Sequence, residues 1–387
     1  MESQVLSMNG RAAQVHLSSL NRSRFIRVPI VLGVLIAAML SAWAGLVRIG
    51  WSLPLASADL LMAHGPLMVC GALMALIGFE RAVALQGRCG DWLFAAPVFA
   101  VLGTLGLIGG LPTTLGALLF TTSSAILFAI HIVMLRLQPA AFTRVMTAGA
   151  ALLLIGNVLW ASGWPLFRIA PGWIGFLVLT IAGERLELGR VQRLSRKAIL
   201  AFVISALVLC GGILASIIAP DPGVRMMGLG LLALAGWLLR YDVARRTVRT
   251  TGLPRFIGAC LLSGYIWLGA GGGLSMAFGA LSGGPRYDAV LHTVFVGFVF
   301  SMIFGHAPII LPALLGGAVT PLRQFYLPLA VLHASLTIRV IADLAGLVAL
   351  RRWGGLLNVV ALLMYAAVMI YAVRQARYTA RSDGGRS

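Results

Sequence analysis

Long runs of apolar residues alternate with short polar connections along almost the whole chain. Each run is long enough to cross the hydrocarbon core of a bilayer as an α-helix, which rises ~1.5 Å per residue. The runs cover residues 28–49, 60–85, 91–111, 114–137, 144–166, 168–188, 197–219, 224–243, 254–280, 288–316, 323–350 and 353–374. We therefore predict an all-α membrane protein with about twelve transmembrane helices, and the short connections predict antiparallel neighbours.

Polar segments at the two ends set the limits of this helical region. Residues 1–27 are polar and basic, and residues 376–387 are polar. We expect two tails around a single polytopic transmembrane domain at 28–375. The first apolar run is too long for a cleavable signal peptide and lacks a convincing cleavage site.

The basic residues predict an orientation. If the N-terminus lies inside, the inner tails and loops hold 23 basic residues, Arg185 among them, and the outer loops hold six. Cytoplasmic loops carry the excess of Lys and Arg in membrane proteins. Both termini are therefore expected in the cytoplasm.

Composition excludes several other classes of protein. The chain is 60% hydrophobic and 11% charged, with a mean hydropathy of +0.96, which no soluble domain of 387 residues shows. The net charge of +19 does not predict nucleic-acid binding, because the arginines lie between apolar runs and form no patch beside stacking aromatics. The four cysteines form neither CxxC nor CxxCH, which excludes an obvious zinc site and covalent c-type haem attachment.

Two histidines near the starts of apolar runs are the main candidates for chemistry. His64 follows Asp59 at the start of the second run, and His292 follows Asp288 at the start of the tenth. In the predicted topology both lie near the outer interface at similar depth. Two imidazoles that face each other across a bundle are a common way to hold b-type haem. The alternative for each is an interfacial histidine bonded to a carbonyl.

Three other histidines lie in or near the spans. His306 is fourteen residues after His292, which on an α-helix puts both within about 40° of one face. His306 and His333 form a second candidate metal site, with helix packing as the alternative role for both. His131 is expected at the inner interface.

Arg339 is the candidate partner for the haem propionates. It lies inside the eleventh run, at a depth near that of the two haem histidines. The alternative is an intrahelical ion pair with Asp343, four residues on. Arg351 and Arg352 in the next loop are further candidates. The glycines of GAGGG at 269–273 would let either a helix or a flat porphyrin approach closely.

The segments AHGPLMVCG at 63–71 and LHTVFVGFVFSMIFG at 291–305 resemble the histidine-bearing second and tenth helices of the NnrS family of bacterial membrane proteins. The helix with Arg339 resembles the next helix of that family. The resemblance implies a haem- and copper-containing protein of the inner membrane, linked to denitrification and nitric oxide stress. It also implies a bundle distantly like subunit I of the haem-copper oxidases, in which helices two and ten supply the low-spin haem histidines.

Several departures from these families narrow the expected function. His64 precedes Gly65 and Pro66, whereas the NnrS motif commonly reads His-Glu-Met. No second histidine lies two residues from His292, and helices six and seven contain no histidine, so the high-spin haem ligand and the copper site of the oxidases are missing. We expect a haem b protein that binds nitric oxide or exchanges electrons with a redox partner; copper binding stays open. The alternatives are a secondary transporter without haem and an assembly protein without a cofactor.

Overall fold

The computed structural model describes residues 26–54, 58–315, 318–320 and 322–384, which form helices and short connections with no strand among them. Within these ranges, twelve helices are long and apolar enough to cross a membrane. We number them α1 to α12 in chain order. They are Ile26–Arg48, His64–Cys89, Asp91–Ile108, Thr113–Leu137, Ala141–Ala161, Leu166–Leu188, Arg196–Ile218, Pro220–Tyr241, Gly252–Phe278, Gly284–Pro312, Arg323–Ala345 and Val348–Ala376. The prediction of an all-helical, multi-pass membrane protein is confirmed.

Some helices end before the apolar run does, because a glycine or a proline stops the helical backbone. The fifth run was predicted to continue to residue 166, but α5 ends at Ala161. Gly163 has φ +90°, a left-handed conformation that suits glycine, and Pro165 precedes the first residue of α6. The apolar sequence continues through this turn, whereas the helical conformation of the backbone ends before it.

The predicted tails are only partly within the described residues. Of the segment 1–27, the structure describes residues 26 and 27, which belong to α1. At the other end, the last helix runs over Val348–Gly384, so the expected polar tail at 376–387 begins as a helical extension of α12.

The described chain divides into two compact units. The first comprises residues 26–45 and 58–127, and the second comprises 46–54 and, apart from the gaps given above, 128–384. The core of the second unit includes Phe304 and Tyr365, whose rings stack 3.8 Å apart. The Tyr365 hydroxyl donates a hydrogen bond of 2.6 Å to the Phe304 carbonyl oxygen, so this buried polar group is satisfied.

Both of the helices that carry the candidate haem histidines contain a π-helical segment. In α2 the segment is Leu67–Met74, which begins three residues after His64. In α10 it is Thr293–Phe300, which begins directly after His292. A π-helix closes its hydrogen bonds between residues i and i+5 and is rare outside functional sites. The α-helical estimate that put His292 and His306 on one face therefore does not hold across α10.

The fifth residue of each π segment is a glycine at a close helix contact. A Cβ added to Gly71 would lie 2.6 Å from Thr104 Oγ1 of α3 and 3.0 Å from Ala37 Cβ of α1. A Cβ on Gly297 would lie 2.5 Å from Trp267 Cβ of α9. Each π segment thus packs against a neighbouring helix at a point where only glycine fits.

The glycine-rich stretch at 269–273 is explained by helix packing. A Cβ on Gly272 would lie 2.7 Å from the Gly228 carbonyl oxygen, and a Cβ on Gly228 would lie 2.6 Å from the Gly272 carbonyl oxygen. The backbones of α8 and α9 are therefore in direct contact here, as small residues allow in membrane bundles.

We expect Gly297→Ala to destabilise the protein by about 1–3 kcal/mol, because the new methyl group must displace the Trp267 Cβ, which is fixed to the backbone of α9. The matched control is Gly273→Ala, whose Cβ would meet nothing within 4 Å. That change should be neutral or slightly stabilising. Thermal unfolding in detergent measures both, and equal midpoints would contradict the close contact at Gly297.

Candidate functional site

His64 is held by α1 in the first unit. Its Nδ1 donates a hydrogen bond of 2.7 Å to the Ser41 carbonyl oxygen, and the Ser41 hydroxyl donates one of 2.8 Å to the His64 carbonyl oxygen. Because a carbonyl oxygen only accepts, Nδ1 carries the hydrogen and Nε2 of the neutral ring keeps its lone pair. Gly45 lies one turn after Ser41, and a Cβ there would come within 2.8 Å of His64 Cε1. No sequence pattern points to Ser41 or Gly45 as a partner of His64.

His292 has the same tautomer, which is set by a hydrogen bond within its own helix. Its Nδ1 donates a hydrogen bond of 2.8 Å to the Asp288 carbonyl oxygen, one turn earlier. The Asp288 side chain also lies close, with Oδ1 3.3 Å from the same nitrogen. Metal-ligating histidines typically bind a carbonyl or carboxylate through the other ring nitrogen, which sets the tautomer and the ring orientation.

The two Asp–His openings noted in the sequence have different local structures. Asp288 and His292 are four residues apart, which is the spacing of the α-helical hydrogen bond. Asp59 and His64 are five apart, and the Asp59 carbonyl oxygen accepts a hydrogen bond from the Ala63 N–H. His64 therefore finds its carbonyl partner on a different helix.

Arg339 pairs with Asp288 of α10, and not with Asp343 as the helical spacing allowed. Its Nε and Nη2 donate hydrogen bonds of 3.0 and 2.7 Å to Asp288 Oδ2. Asp343 instead pairs with Arg351, whose Nε lies 2.7 Å from Asp343 Oδ1. The guanidinium of Arg339 thus reaches across to the carboxylate beside His292, which the i, i+4 rule cannot detect because it covers only one helix.

A glycine contact and a tryptophan hold the start of α12 beside this ion-pair network. A Cβ on Gly354 would lie 2.9 Å from the Arg339 Cα, so α12 packs directly on the backbone of α11 at this residue. The Arg352 guanidinium lies 5.0 Å from the centre of the Trp51 ring, and Trp51 Nε1 donates a hydrogen bond of 3.2 Å to the Arg352 carbonyl oxygen. The turn between α11 and α12 is thereby fixed.

His306 and His333 each have a partner that the sequence did not reveal. His306 Nδ1 donates to the Met302 carbonyl oxygen at 2.7 Å, and its Nε2 accepts a hydrogen bond of 2.7 Å from Arg185 Nη2. Trp267 Nε1 donates a hydrogen bond of 2.9 Å to His333 Nδ1. A metal at His306 Nε2 would have to displace Arg185.

Other polar groups also differ in burial from what the sequence suggests. Arg185 is only 5% exposed, although it was counted among the basic residues of a cytoplasmic loop. His131 is 1% exposed, so it packs against protein. Among the described residues, no group of three or more His, Cys, Asp or Glu side chains could hold a metal ion.

His64 and His292 belong to different compact units, and each has its own set of neighbours. Both are half-buried imidazoles whose Nδ1 donates to a carbonyl oxygen, and both lie just before a π-helical segment. This donor set fits a haem iron, which takes a neutral imidazole through its lone pair. Arg339 and Asp288 form an ion pair beside His292.

Comparisons with known proteins identify a family for this chain. No curated protein and no solved structure matches the chain. A family model described as a domain of unknown function (DUF8744) matches residues 27–374, which include nearly all of the twelve spanning helices. The chain therefore belongs to the DUF8744 family.

Proposed function

We propose that this protein is an integral membrane b-type haem protein in which His64 and His292 ligate the iron through Nε2. The observation that carries the proposal is the shared tautomer, in which each Nδ1 donates to a backbone carbonyl oxygen. Different neighbours thus leave the Nε2 lone pair of each neutral ring as the candidate iron ligand. The resemblance of both segments to the NnrS family, and distantly to subunit I of the haem-copper oxidases, supports the same assignment.

Arg339 belongs to the proposed cofactor site in two ways. Its two hydrogen bonds to Asp288 steady the residue whose carbonyl oxygen binds His292. Its positive charge also suits the anionic propionates of haem, for which arginine is the preferred partner. Arg351 adds a second cation, with Nη2 3.6 Å from Asp288 Oδ2.

The proposed chemistry is electron transfer or the binding of a gas such as nitric oxide, in the setting of denitrification or nitric oxide stress. Bis-histidine ligation fills both axial positions of the iron, which suits exchange of electrons with a redox partner. Gas binding requires one histidine to leave. We assign no copper to the pair His306 and His333, because the Met302 carbonyl oxygen and Arg185 already bind both ring nitrogens of His306.

The visible spectrum of the purified protein tests the proposal. The reduced form should show the sharp bands of low-spin haem b and bind carbon monoxide poorly, since no axial position is open. Ready binding of carbon monoxide or nitric oxide would favour the gas-binding form. A folded protein that stays colourless after haem supplementation would contradict the proposal and favour the secondary transporter.

We also propose that the protein lies in the bacterial inner membrane with both termini in the cytoplasm. The support is the excess of basic residues in alternate connections. A C-terminal alkaline phosphatase fusion should be inactive, and a C-terminal fluorescent protein fusion should fluoresce. The opposite pattern would reverse the orientation and place His64 and His292 at the cytoplasmic side.

A further inference from the structure

A second polar cluster, largely buried, lies beside the second half of α10, within the second unit. It consists of Arg185 at the end of α6, Asp242 directly after α8, Tyr265 of α9 and His306 of α10. Asp242 is 4% exposed, Arg185 is 5% exposed and Tyr265 is fully buried. Four parts of the bundle thus bring ionisable side chains together away from water, and burying such groups costs free energy unless they are paired.

The contacts within this polar cluster are specific. Arg185 Nη2 donates to His306 Nε2 at 2.7 Å. The Arg185 guanidinium also lies within electrostatic reach of Asp242 and Tyr265, and the Tyr265 hydroxyl lies beside the Asp242 carboxyl group. Asp242 Oδ1 accepts a hydrogen bond of 2.6 Å from the Ala244 N–H, which ties one oxygen to the start of the short helix Ala244–Thr247.

Three buried polar atoms of the cluster have no hydrogen-bond partner of normal geometry: Asp242 Oδ2, Tyr265 Oη and Arg185 Nε. They comprise an acceptor, a hydroxyl group that both donates and accepts, and a donor. Buried polar groups in native proteins are almost always satisfied by protein or by ordered water. One water molecule with two to four such partners is a normal component of a buried site.

We propose that Asp242, Arg185, Tyr265 and His306 form a proton-binding site with an ordered water molecule. The carboxylate Oδ2 of Asp242 takes a proton from the aqueous phase, which changes the charge of the group from −1 to 0, and returns it to the same phase. No bond between heavy atoms changes. This proposal is independent of haem and applies equally to a transporter, since buried carboxyl groups serve as proton relays in both classes.

The surroundings of Asp242 support proton exchange with water. It directly precedes the connection that carries the exposed Arg245 and Arg246, so the aqueous phase is one turn of chain away. The groups that face it are Arg185 and Tyr265, with His306 beyond Arg185. Glu184, half-buried, faces His306. Burial raises the pKa of Asp242 above its ordinary value, while the charge of Arg185 acts in the opposite direction.

The test is an infrared pH titration of the purified protein. The wild type should show the carbonyl stretch of a protonated carboxylic acid that persists above the ordinary pH range of aspartate, and Asp242→Asn should lower the intensity of this band. Asp221→Asn is the matched control: Asp221 is exposed and paired with Arg225, so the band should remain. Tyr265→Phe removes a hydroxyl that stabilises the carboxylate and should move the titration to higher pH.

A second readout does not depend on spectroscopy. Because the folded state holds the Asp242 proton to higher pH than the unfolded state does, the free energy of unfolding should fall as pH rises through the window between the two pKa values. Asp242→Asn should flatten this dependence. If the wild-type spectrum lacks the band and Tyr265→Phe changes nothing, Asp242 is a permanently charged partner of Arg185 and cap of a short helix, and the proposal is wrong.

Discussion

His292→Ala and His64→Ala should each abolish the low-spin haem spectrum of the purified protein. Loss of an axial ligand removes an iron–nitrogen bond, so the decrease in haem affinity should exceed the roughly 10- to 100-fold loss seen when only a supporting partner of a metal ligand is removed. A residual five-coordinate haem in one variant would bind carbon monoxide readily. The measurement is the haem-to-protein ratio together with the reduced spectrum.

The controls for this experiment are His131→Gln and His333→Gln. Both replace a histidine outside the proposed site by a polar residue of similar size, and both variants should keep the wild-type spectrum. A spectrum that survives in either alanine variant would show that the histidine concerned is not a ligand. Loss of haem in all four variants would point to a general defect in folding, which size-exclusion chromatography in detergent would reveal.

Arg339→Leu should cost about 3–5 kcal/mol of stability, the range found when one partner of a buried ion pair is removed. Arg339 is 9% exposed in its side chain and Asp288 is 18% exposed, so the carboxylate left behind is poorly hydrated. Its remaining cation is Arg351, at 3.6 Å. Thermal unfolding in detergent measures the loss. In the haem-loaded protein, the reduction potential should also change more than in Asp343→Asn.

A double variant separates the ion pair from the packing of Arg339. Asp288→Asn combined with Arg339→Leu removes the unpaired charge, so it should recover part of the stability that Arg339→Leu loses. Asp221→Asn weakens an exposed pair with Arg225, leaves the hydrogen bonds of Arg225 to α9 in place and should leave the unfolding midpoint almost unchanged. If Arg339→Leu behaves like Asp221→Asn, the pair with Asp288 contributes nothing to stability.

The number of helices was predictable because a bilayer restricts the backbone structures that can cross it. Each span must satisfy its backbone hydrogen bonds internally, so apolar length alone predicts the number of helices. The helix ends were less predictable, as Gly163 shows: its left-handed backbone ends α5 within an apolar run. The π segments of α2 and α10 could not be foreseen either, since the residues of Thr293–Phe300 suit an α-helix equally well.

The candidate site was predictable at the level of single residues but not of their partners. The cost of a histidine in a membrane drew attention to His64 and His292. His64 binds the carbonyl oxygen of Ser41 on another helix, and His292 binds that of Asp288 on its own helix. Every residue has a backbone carbonyl, so the sequence does not mark which one a histidine will bind. Arg185 was misjudged because counting charges assumes that every arginine near a helix end is in water.

Helix α10 contributes one histidine to each of the two polar sites. His292 lies near its start, and His306 lies on the order of 20 Å further along. Hydrogen bonds tie the first end to α11 through Asp288 and Arg339, and the second to α6 through His306 and Arg185. The π segment Thr293–Phe300 lies between them within one continuous helix. Because α10 is tied to a different neighbour at each end, any rotation of this helix about its axis would move both polar sites together.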